Sequence, residues 1–263
     1  MSTHLTRRKL LAVASLLLSI TGLSAAQEAG GRTLRATFLG LNPVQGRVDP
    51  ATGESTGIVP DLARELGRRL GVAVEIHPAA SASEIIQRLR DGRSDIGFMA
   101  IDPRRAQEVT FSAPYAVMGN AFLAPAGWRI RRAADIDQPG VQIAAIRGQT
   151  QATALSASVR QARVVVLDRK PDDLAAFFET GAAHVYGTNR HEAEQIAVAS
   201  AGRLEVLEGD FLQVQQAIAV APEAAGRLPE INRLISELLS IGEVDRAIAR
   251  SGIRGLKPTA FNL

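Results

Sequence analysis

The sequence predicts an α/β protein of two similar lobes, and three observations lead to this fold class. Short apolar runs typical of buried strands alternate with segments of helical period, first in the N-terminal part of the chain and again after residue 140. Extended segments at residues 115–126 and 214–220 connect the two units. The 263 residues suffice for two modest cores. We expect two lobes, each a mostly parallel sheet with flanking helices, with a cleft and a hinge between them.

The first unit has the order strand, helix, strand, helix, strand. Its strands are predicted where short apolar runs lie beside turn residues, at 34–38, 72–76 and 96–101. A helix at residues 60–70 has one apolar face and ends at Gly71. Ser81 and Glu84 form a capping box for a second helix at residues 83–90. This alternation is typical of a parallel sheet.

The second unit repeats the same order. Its predicted strands are residues 141–146, 163–167 and 184–187. Its predicted helices are residues 150–159, 171–178 and 190–200. After the return crossing, residues 229–250 are predicted to be mostly helical with a break at Gly242. Because parallel sheets bind ligands beyond the carboxyl ends of their strands, residues 38–44 and 102–105 are expected to line the cleft.

Residues 1–26 have the features of a secretory signal. Arg7, Arg8 and Lys9 precede an apolar run at residues 10–23, and small residues follow it. The run is shorter than the ~20 residues that a membrane span needs. We therefore expect export to the periplasm, cleavage near Ala26 and no direct membrane insertion after processing. The arginine pair is compatible with the twin-arginine route and with the Sec route.

The charge balance changes when this leader is removed. The full chain has 30 basic and 27 acidic residues, and three of the basic ones and none of the acidic ones lie within residues 1–26. The remaining 27 basic residues equal the 27 acidic ones in number. The basic character of the full sequence is therefore no argument for a nucleic-acid partner or an anionic membrane. No nucleic-acid partner is expected.

The absence of cysteine excludes several kinds of chemistry. Disulfides, thiolate catalysis, cysteine-based zinc sites and a lipidated cysteine are all ruled out. The chain also lacks a Gly-rich loop with nucleotide-binding spacing and a nucleophile elbow. No cofactor is expected.

The segment at residues 95–115 carries the main functional signal. A predicted strand ends at Asp102, which can cap a short helical turn that carries Arg104 and Arg105. A guanidinium at this place is well suited to bind a carboxylate, because it offers a planar set of donors and keeps its charge when partly desolvated. Adjacent arginines are more often ordinary surface charges, and Arg104 is assigned to that role.

The same segment also carries a resemblance. Asp-Ile-Gly at residues 95–97, Asp-Pro-Arg-Arg-Ala-Gln-Glu-Val at 102–109 and Phe-Ser-Ala-Pro-Tyr at 111–115 resemble the periplasmic amino-acid-binding proteins of ABC importers, the bacterial extracellular solute-binding proteins of family 3. The resemblance extends over residues 32–250. It implies the two-lobed periplasmic-binding-protein fold of type II. The first lobe would be residues 32–119 plus 215–263, and the second would be residues 120–214.

The resemblance also implies a ligand site. In that family the second basic residue of the turn, here Arg105, binds the ligand carboxylate. A Gly-Thr-Thr segment of the second lobe completes the site with a hydroxyl and backbone amides, and here it is Gly148-Gln149-Thr150. Thr150 matches this pattern and Gln149 departs from it. A plain helix cap is the alternative interpretation of this loop.

Other positions depart from the family pattern. Phe98 and Ala100 replace serines or threonines, and Leu41 and Val44 replace the aromatic residues that sandwich the ligand. The second-lobe aspartate that pairs with the ligand ammonium is replaced by Asn189. An amide can accept a hydrogen bond but supplies no countercharge. We therefore expect a carboxylate ligand whose amino group is absent, displaced or neutral.

A metal site is not expected. His184, His191, Glu192 and Glu194 lie close together in the sequence. However, His184 is on a predicted strand and His191 is on a predicted helix, so the side chains are not expected to converge on one ion.

The sequence therefore predicts a periplasmic solute-binding protein and not an enzyme. We expect it to close its lobes on a small carboxylate, an amino acid or a related organic acid, and to deliver it to an ABC permease. One alternative is an enzyme resembling cyclohexadienyl dehydratase, which shares the fold but needs an acid and a base facing the cleft. Another is a ligand-sensing partner of a membrane receptor. A monomer is expected, and the identity of the ligand is left open.

Overall fold

The computed structural model describes Gly31 and residues 33–260. The predicted signal peptide and its cleavage site lie outside the described residues. Within the described part of the chain, no helix is both long enough and apolar enough to cross a membrane.

Strands and helices alternate along the described chain. The strands are β1 (Thr33–Leu39), β2 (Arg47–Val48), β3 (Ser55–Thr56), β4 (Ala73–Ala79), β5 (Ile96–Ala100), β6 (Thr110–Phe111), β7 (Ala116–Pro125), β8 (Gln142–Ile146), β9 (Arg163–Leu167), β10 (Val185–Asn189), β11 (Leu204–Val206), β12 (Leu212–Val220) and β13 (Leu256–Pro258). The helices are α1 (Ile58–Leu70), α2 (Ala82–Arg90), α3 (Thr150–Ser158), α4 (Leu174–Glu179), α5 (Arg190–Ala199), α6 (Leu228–Ser240) and α7 (Glu243–Ser251). Short 3₁₀ turns lie at Arg105–Gln107, Ala133–Asp135 and Pro222–Arg227.

Eleven of the strands form one curled sheet with two parts whose strands are parallel, and β2 and β3 form a separate antiparallel pair. The order of the curled sheet is β4-β1-β5-β12-β7-β10-β8-β9, while β11 and β13 pair with β7 and β6 pairs with β12. The pairs of β1 with β4 and β5 are parallel, as are those of β8 with β9 and β10. The long strands β7 and β12 are antiparallel to each other and join the two parts. We call β1 to β6 with α1, α2, α6 and α7 the first half, and β8 to β11 with α3, α4 and α5 the second half.

Separate hydrophobic clusters fill the two halves. The largest cluster of the first half combines residues 36–118 with residues 218–256, which come from opposite ends of the chain. A second cluster of that half packs α2 against β5 and includes Ile85, Leu89 and Met99. Two clusters of the second half are built from residues 122–211 alone. Since burial of apolar side chains drives folding, each half has its own stabilising core.

Several local predictions are confirmed. Ser81 caps α2, because its Oγ accepts from the Glu84 amide at 3.1 Å while Glu84 Oε2 accepts from the Ala80 amide at 2.8 Å. Gly71 ends α1 in the left-handed conformation. Gly242 has φ 71° and separates α6 from α7. These three positions show that caps and glycine turns were reliable boundary signals.

Other boundaries differ for identifiable reasons. Helix α4 begins at Leu174 and not at Pro171, because the Asp173 side chain caps it by accepting from the amides of Ala175 and Ala176. Strand β4 continues past Ile76 to Ala79. It tolerates Pro78 because it lies at the edge of the sheet, where a missing amide donor breaks no ladder.

Candidate functional site

The turn that follows β5 is organised by Asp102. Its Oδ1 accepts a hydrogen bond from the Arg104 amide at 2.9 Å, and its carbonyl oxygen accepts from the Ala106 amide at 3.0 Å. Residues 105–107 then form one turn of 3₁₀ helix. The predicted capping role of Asp102 is confirmed, and the turn carries both arginines at the end of a buried strand.

Arg105 is half-buried beside this turn. One of its nitrogens, Nη1, donates to the carbonyl oxygen of Ala100 at 3.1 Å. Among the described residues, none supplies a carboxylate within 4.0 Å of the guanidinium. Burial lowers the pKa of Arg105 from its ordinary value, although the nearby charge of Asp102 opposes this effect. Arg105 is therefore a partly desolvated cation that lacks a directly bound countercharge within the described chain.

Arg104 has a different environment. Its side chain is exposed, yet Nη2 donates to Thr153 Oγ1 on α3 at 2.6 Å and Nε lies 3.4 Å from Asp102 Oδ1. Arg104, which the sequence assigned to an ordinary surface role, therefore also links the two halves. Sequence spacing gave no signal for this contact, because it joins residues that are 49 positions apart.

A cavity of about 530 Å³ lies between the turn after β5, the long strands β7 and β12, and α3. Apolar side chains form much of its wall, and the polar side chains that line it are Asp102, Thr150, Thr153, Gln213 and Gln215. This volume is within the usual range for small-molecule sites.

Asp102 is the charged residue of the cavity lining. Its side chain is 1% exposed, and its second oxygen, Oδ2, has no hydrogen-bond partner among the described residues. Burial acts against ionisation, but the hydrogen bonds from Arg104 and the charge of Arg105 outweigh it. The pKa of Asp102 is therefore below its ordinary value. Asp102 stays ionised at neutral pH with one oxygen unsatisfied.

The predicted second-lobe segment lies at the start of α3. Thr150 is the first residue of this helix and lines the cavity. Gln149 is the exposed N-cap residue, and its side chain makes no capping hydrogen bond. The first amides of a helix lack partners within the helix, so this N-terminus can accept an anionic group.

Asn189 ends β10 and caps α5. Its side-chain oxygen accepts from the Glu192 amide at 2.9 Å, so this acceptor is already engaged. Leu41 lies in the turn after β1 with 84% of its surface exposed. Val44, which the resemblance aligned with a ligand-sandwiching aromatic residue, is buried in the core of the first half. Burial makes a direct ligand contact by Val44 incompatible with this structure.

The structure brings together some of the predicted site residues. Arg105 contacts Ala100, and Thr150 shares the cavity lining with Asp102. Of the predicted site residues, Thr150 belongs to this lining within the described chain, whereas Arg105, Ala100, Leu41, Gln149 and Asn189 do not.

Sequence reasoning did not identify Thr153, Gln213 and Gln215 as cavity residues. The alternation of Gln213 and Gln215 along β12 was an available signal, because residues two apart lie on the same face of a strand. It was missed because the return crossing was expected to begin only at residue 214.

The histidines of the second half face different surroundings. His184 Nδ1 accepts from the Gln142 amide at 3.0 Å, and its ring stacks on Trp128. His191 Nδ1 accepts from the Arg254 amide at 3.2 Å, at the contact between α5 and the turn after α7. Within the described residues, no group of three or more acidic or histidine side chains is arranged to hold a metal ion.

Comparison with known proteins adds a family match. Residues 41–250 match the sequence profile described as bacterial extracellular solute-binding proteins, family 3. No curated protein is similar enough in sequence to match the chain.

Solved structures give many matches. A mutant of ArgBP from T. maritima is 26% identical with a TM-score of 0.62, over 84% of this chain and 95% of that one. The ancestral amino acid-binding protein AncCDT-1, a precursor of cyclohexadienyl dehydratase, is 25% identical with a TM-score of 0.62, over 83% and 94%. A binding component of an ABC transporter from Wolinella succinogenes, complexed with lysine, is 21% identical with a TM-score of 0.67, over 83% and 94%. The predicted two-lobed fold is confirmed by these matches.

Proposed function

Since this chain belongs to family 3 of the bacterial extracellular solute-binding proteins, we propose that it binds an amino acid or a related small carboxylate in the periplasm and delivers it to an ABC permease. The proposed lobes are residues 32–119 plus 215–263 and residues 120–214. The strands β7 and β12 would act as the hinge between them.

The observation that carries this proposal is the environment of Arg105. Its guanidinium is half-buried, and in the described chain it donates to one carbonyl oxygen and contacts no carboxylate. A partly desolvated cation gains stability from an anionic partner, and a guanidinium can bind both oxygens of a carboxylate at once. The solute would supply this partner, with the turn behind Asp102 keeping the guanidinium in place.

In the second lobe, the first residues of α3 would complete the binding site for the solute carboxylate. Thr150 offers a hydroxyl to the cavity, and the first amides of α3 have no side-chain cap. Positive partial charge at a helix N-terminus favours an anion. A carboxylate held by Arg105 on one side and by α3 on the other would then draw the lobes together, which couples solute binding to closure.

The remaining predicted residues would shape the rest of the site. Leu41 is an exposed apolar side chain that can cover the solute as the lobes close. Ala100 has a small side chain and leaves room beside Arg105. Asn189 supplies no countercharge and already caps α5. The proposed solute is therefore a carboxylate whose amino group is absent, displaced or neutral at the Asn189 position.

The enzyme alternative is motivated by AncCDT-1, an ancestral amino acid-binding protein that is a precursor of cyclohexadienyl dehydratase. An elimination needs a group that donates a proton at working pH. The ionisable side chain of the cavity lining, Asp102, has a lowered pKa and is already deprotonated at neutral pH. The lowered pKa of Asp102 disfavours a role as general acid, so we propose binding in preference to catalysis.

In a sensing role, the protein would bind the same solute, but its protein partner would be a membrane receptor and not a permease. A permease gene beside this gene would support transport, and a histidine kinase gene would support sensing. A pull-down from membranes with the solute-loaded protein would distinguish the two, because it recovers either a permease or a receptor.

The first prediction tests Arg105 directly. Purified protein that has been unfolded, stripped of bound solute and refolded is heated with amino acids, keto acids and other small carboxylates. A solute at ~100 times its dissociation constant adds roughly 2.7 kcal/mol to the free energy of unfolding, which raises the melting temperature by about 5–10 °C. Arg105→Ala should abolish this rise.

The matched control is Arg93→Ala, which removes an exposed arginine paired with Asp91. It should leave the solute-induced rise unchanged. If no carboxylate stabilises the wild-type protein, or if Arg105→Ala responds as the wild type does, the proposed function is wrong. If a stabilising compound is consumed during incubation, the enzyme alternative replaces it.

A further inference from the structure

Helix α5 of the second half packs against the turn of residues 252–255, which follows α7 of the first half. Gly255 has φ 75°, and a Cβ at this position would lie 2.7 Å from Arg190 Cβ. The carbonyl oxygen of Gly255 accepts from the Gly119 amide at 2.8 Å, at the point where β7 passes from its pairing with β13 to its pairing with β10. The two halves are therefore in close contact beside the strands that join them.

His191 lies within this contact. The residue is 7% exposed, and its Nδ1 accepts a hydrogen bond from the Arg254 amide of the turn at 3.2 Å. A ring nitrogen that accepts carries no proton, so the imidazole is neutral and has its proton on Nε2. Nε2 is buried and has no partner among the described residues. The imidazole can thus make this hydrogen bond between the halves only in its neutral form.

Charged groups surround the His191 ring. Glu194 lies on the same helix, Arg254 in the turn after α7, and Arg47 in β2. Burial lowers the pKa of His191, the charges of Arg47 and Arg254 act in the same direction, and Glu194 opposes them. Glu194 is itself paired with Arg190 at 3.7 Å and with Arg254 at 3.5 Å, so its charge is shared. A positive charge on the ring is therefore disfavoured in this contact.

We propose that His191 is a pH-sensitive contact between the two halves, in which the neutral ring holds α5 against the turn after α7 and protonation releases it. A proton on Nδ1 would face the Arg254 N–H, so one hydrogen bond is lost and two donors oppose each other. The same structure contains the hydrogen bond of Arg104 to Thr153 across the halves. The His191 contact thus belongs to the arrangement in which the lobes touch, and acid disfavours that arrangement. This role is separate from solute binding, because it needs no solute.

The sign of the pKa shift gives the pH range. The pKa of His191 is lower in the contact than the value of about 6.5 for an exposed histidine. The contact therefore contributes fully above pH ~6.5 and is progressively lost as the pH falls below that value. Histidine is the side chain whose ordinary charge change lies in this range. The histidines of the described chain are His77, His184 and His191.

The test measures the spacing of the two halves in solute-free protein at pH 7.5 and pH 5. Because the sequence contains no cysteine, Arg93→Cys and Asp172→Cys place one spin label on each half at exposed positions. Pulsed EPR then gives the distribution of label distances. The population with the spacing of the described structure should fall about fivefold at pH 5 relative to other spacings, since one hydrogen bond of ordinary net strength is lost.

Two variants of His191 should respond in opposite ways. His191→Asn keeps a side-chain acceptor for the Arg254 amide but does not titrate, so the label distances should be the same at both pH values. His191→Leu has no acceptor, so the distances of the acid form should appear at both pH values. NMR of the labelled reference protein needs no further variant, and in it the Arg254 amide resonance should shift with a midpoint below pH ~6.5.

The controls are the other two histidines. His77 is on β4, and His184 Nδ1 accepts from the Gln142 amide within the second half. His77→Asn and His184→Asn should each keep the change of spacing with pH.

Three results would overturn the role of His191. The first is a wild-type spacing that is the same at both pH values, the second is a His191→Asn variant that responds to acid as the wild type does, and the third is an Arg254 amide resonance that does not titrate. None of them affects the proposed function, which is decided by the stabilisation of the wild type and of Arg105→Ala by carboxylates.

Discussion

The two adjacent arginines of the turn after β5, Arg104 and Arg105, make different side-chain contacts. Arg105 lies within the turn and donates from its guanidinium to the Ala100 carbonyl oxygen, whereas Arg104 contacts α3 on the other half. The Asp102 side chain accepts from the Arg104 amide and so stabilises the turn that carries both arginines.

Gly67 offers a second prediction at the residue scale. Alanine is favoured over glycine inside a helix by about 1 kcal/mol. A Cβ at position 67 would, however, lie 2.0 Å from Val74 Cγ2 and 3.1 Å from the Val72 carbonyl oxygen. Overpacking of this kind costs about 1–3 kcal/mol. After the helix gain of about 1 kcal/mol is subtracted, Gly67→Ala should lower the free energy of unfolding by up to about 2 kcal/mol, as measured by urea denaturation.

A double-mutant cycle checks the cause of that loss. Val74→Ala removes the methyl group that the new Cβ would meet. The double variant should therefore lose less unfolding free energy than the sum of the losses of the two single variants. Additive effects would show that the contact with Val74 is not responsible.

The site residues were predictable from the sequence to different degrees. The cap by Asp102 was predicted because aspartate before a proline-led turn is a local signal. The free oxygen of Asp102 was not, since it depends on which donors the tertiary structure brings near. The contact of Arg104 with Thr153 was missed for the same reason. The ligand roles of Arg105, Thr150 and Asn189 stay predictions until a solute is bound.

At the scale of elements, helix α1 is tied to its neighbours by charges. Glu65 accepts hydrogen bonds from Arg68 and Arg69, and Arg69 also contacts Glu237 of α6 at 3.0 Å. The Arg68 hydrogen bonds hold the pKa of Glu65 at about 2. Glu65 is thus a link in a surface network that joins two helices of the first half.

This network predicts a pH dependence. The pKa of Glu65 is lower in the folded chain than in the unfolded chain, so its contribution is complete above pH ~4.5 and is lost as the pH falls toward 2. Surface pairs contribute about 0.2–1 kcal/mol. Glu65→Gln should lower stability by that amount at pH 7 and by progressively less between pH 4.5 and pH 2, as followed by urea unfolding.

Glu223→Gln is the control for this series. Glu223 is exposed and has no ion pair among the described residues. Its replacement should change stability little at any pH. A loss for Glu65→Gln that is the same at pH 7 and pH 3 would contradict the electrostatic explanation.

Most elements were predictable because their residues repeat with a clear period. The α1 and α6 helices have one apolar face each, and the central strands are continuous apolar runs. The short strands β2, β3, β11 and β13 were not predicted. Two or three residues are too few to show a hydrophobic period. Neighbouring strands such as β7, which pairs with β11 and β13, decide where these short strands form.

At the scale of the whole molecule, Arg104 and Thr153 provide a contact across the two halves. The hydrogen bond of 2.6 Å comes from a charged donor, but the donor is exposed, so we expect it to contribute about 1 kcal/mol. Thr153→Val keeps the shape of the side chain and removes the acceptor. The ratio of closed to open molecules should fall about fivefold, and the radius of gyration of the solute-loaded protein in X-ray scattering should increase.

Arg104→Ala should have a similar effect on this ratio, and Arg93→Ala should have none. If the Thr153→Val and Arg104→Ala variants both have the radius of gyration of the wild type, with and without solute, the contact does not contribute to closure.

The core of the first half has a consequence for how the chain is made. Its largest cluster joins Ala36, near the start of the described chain, to Leu256, near its end. The clusters of the second half need only residues 122–211. Because the chain is synthesised from its N-terminus, every residue of the second half is present before the residues that complete the largest cluster of the first half. The strands that are made first therefore obtain their full set of core partners last.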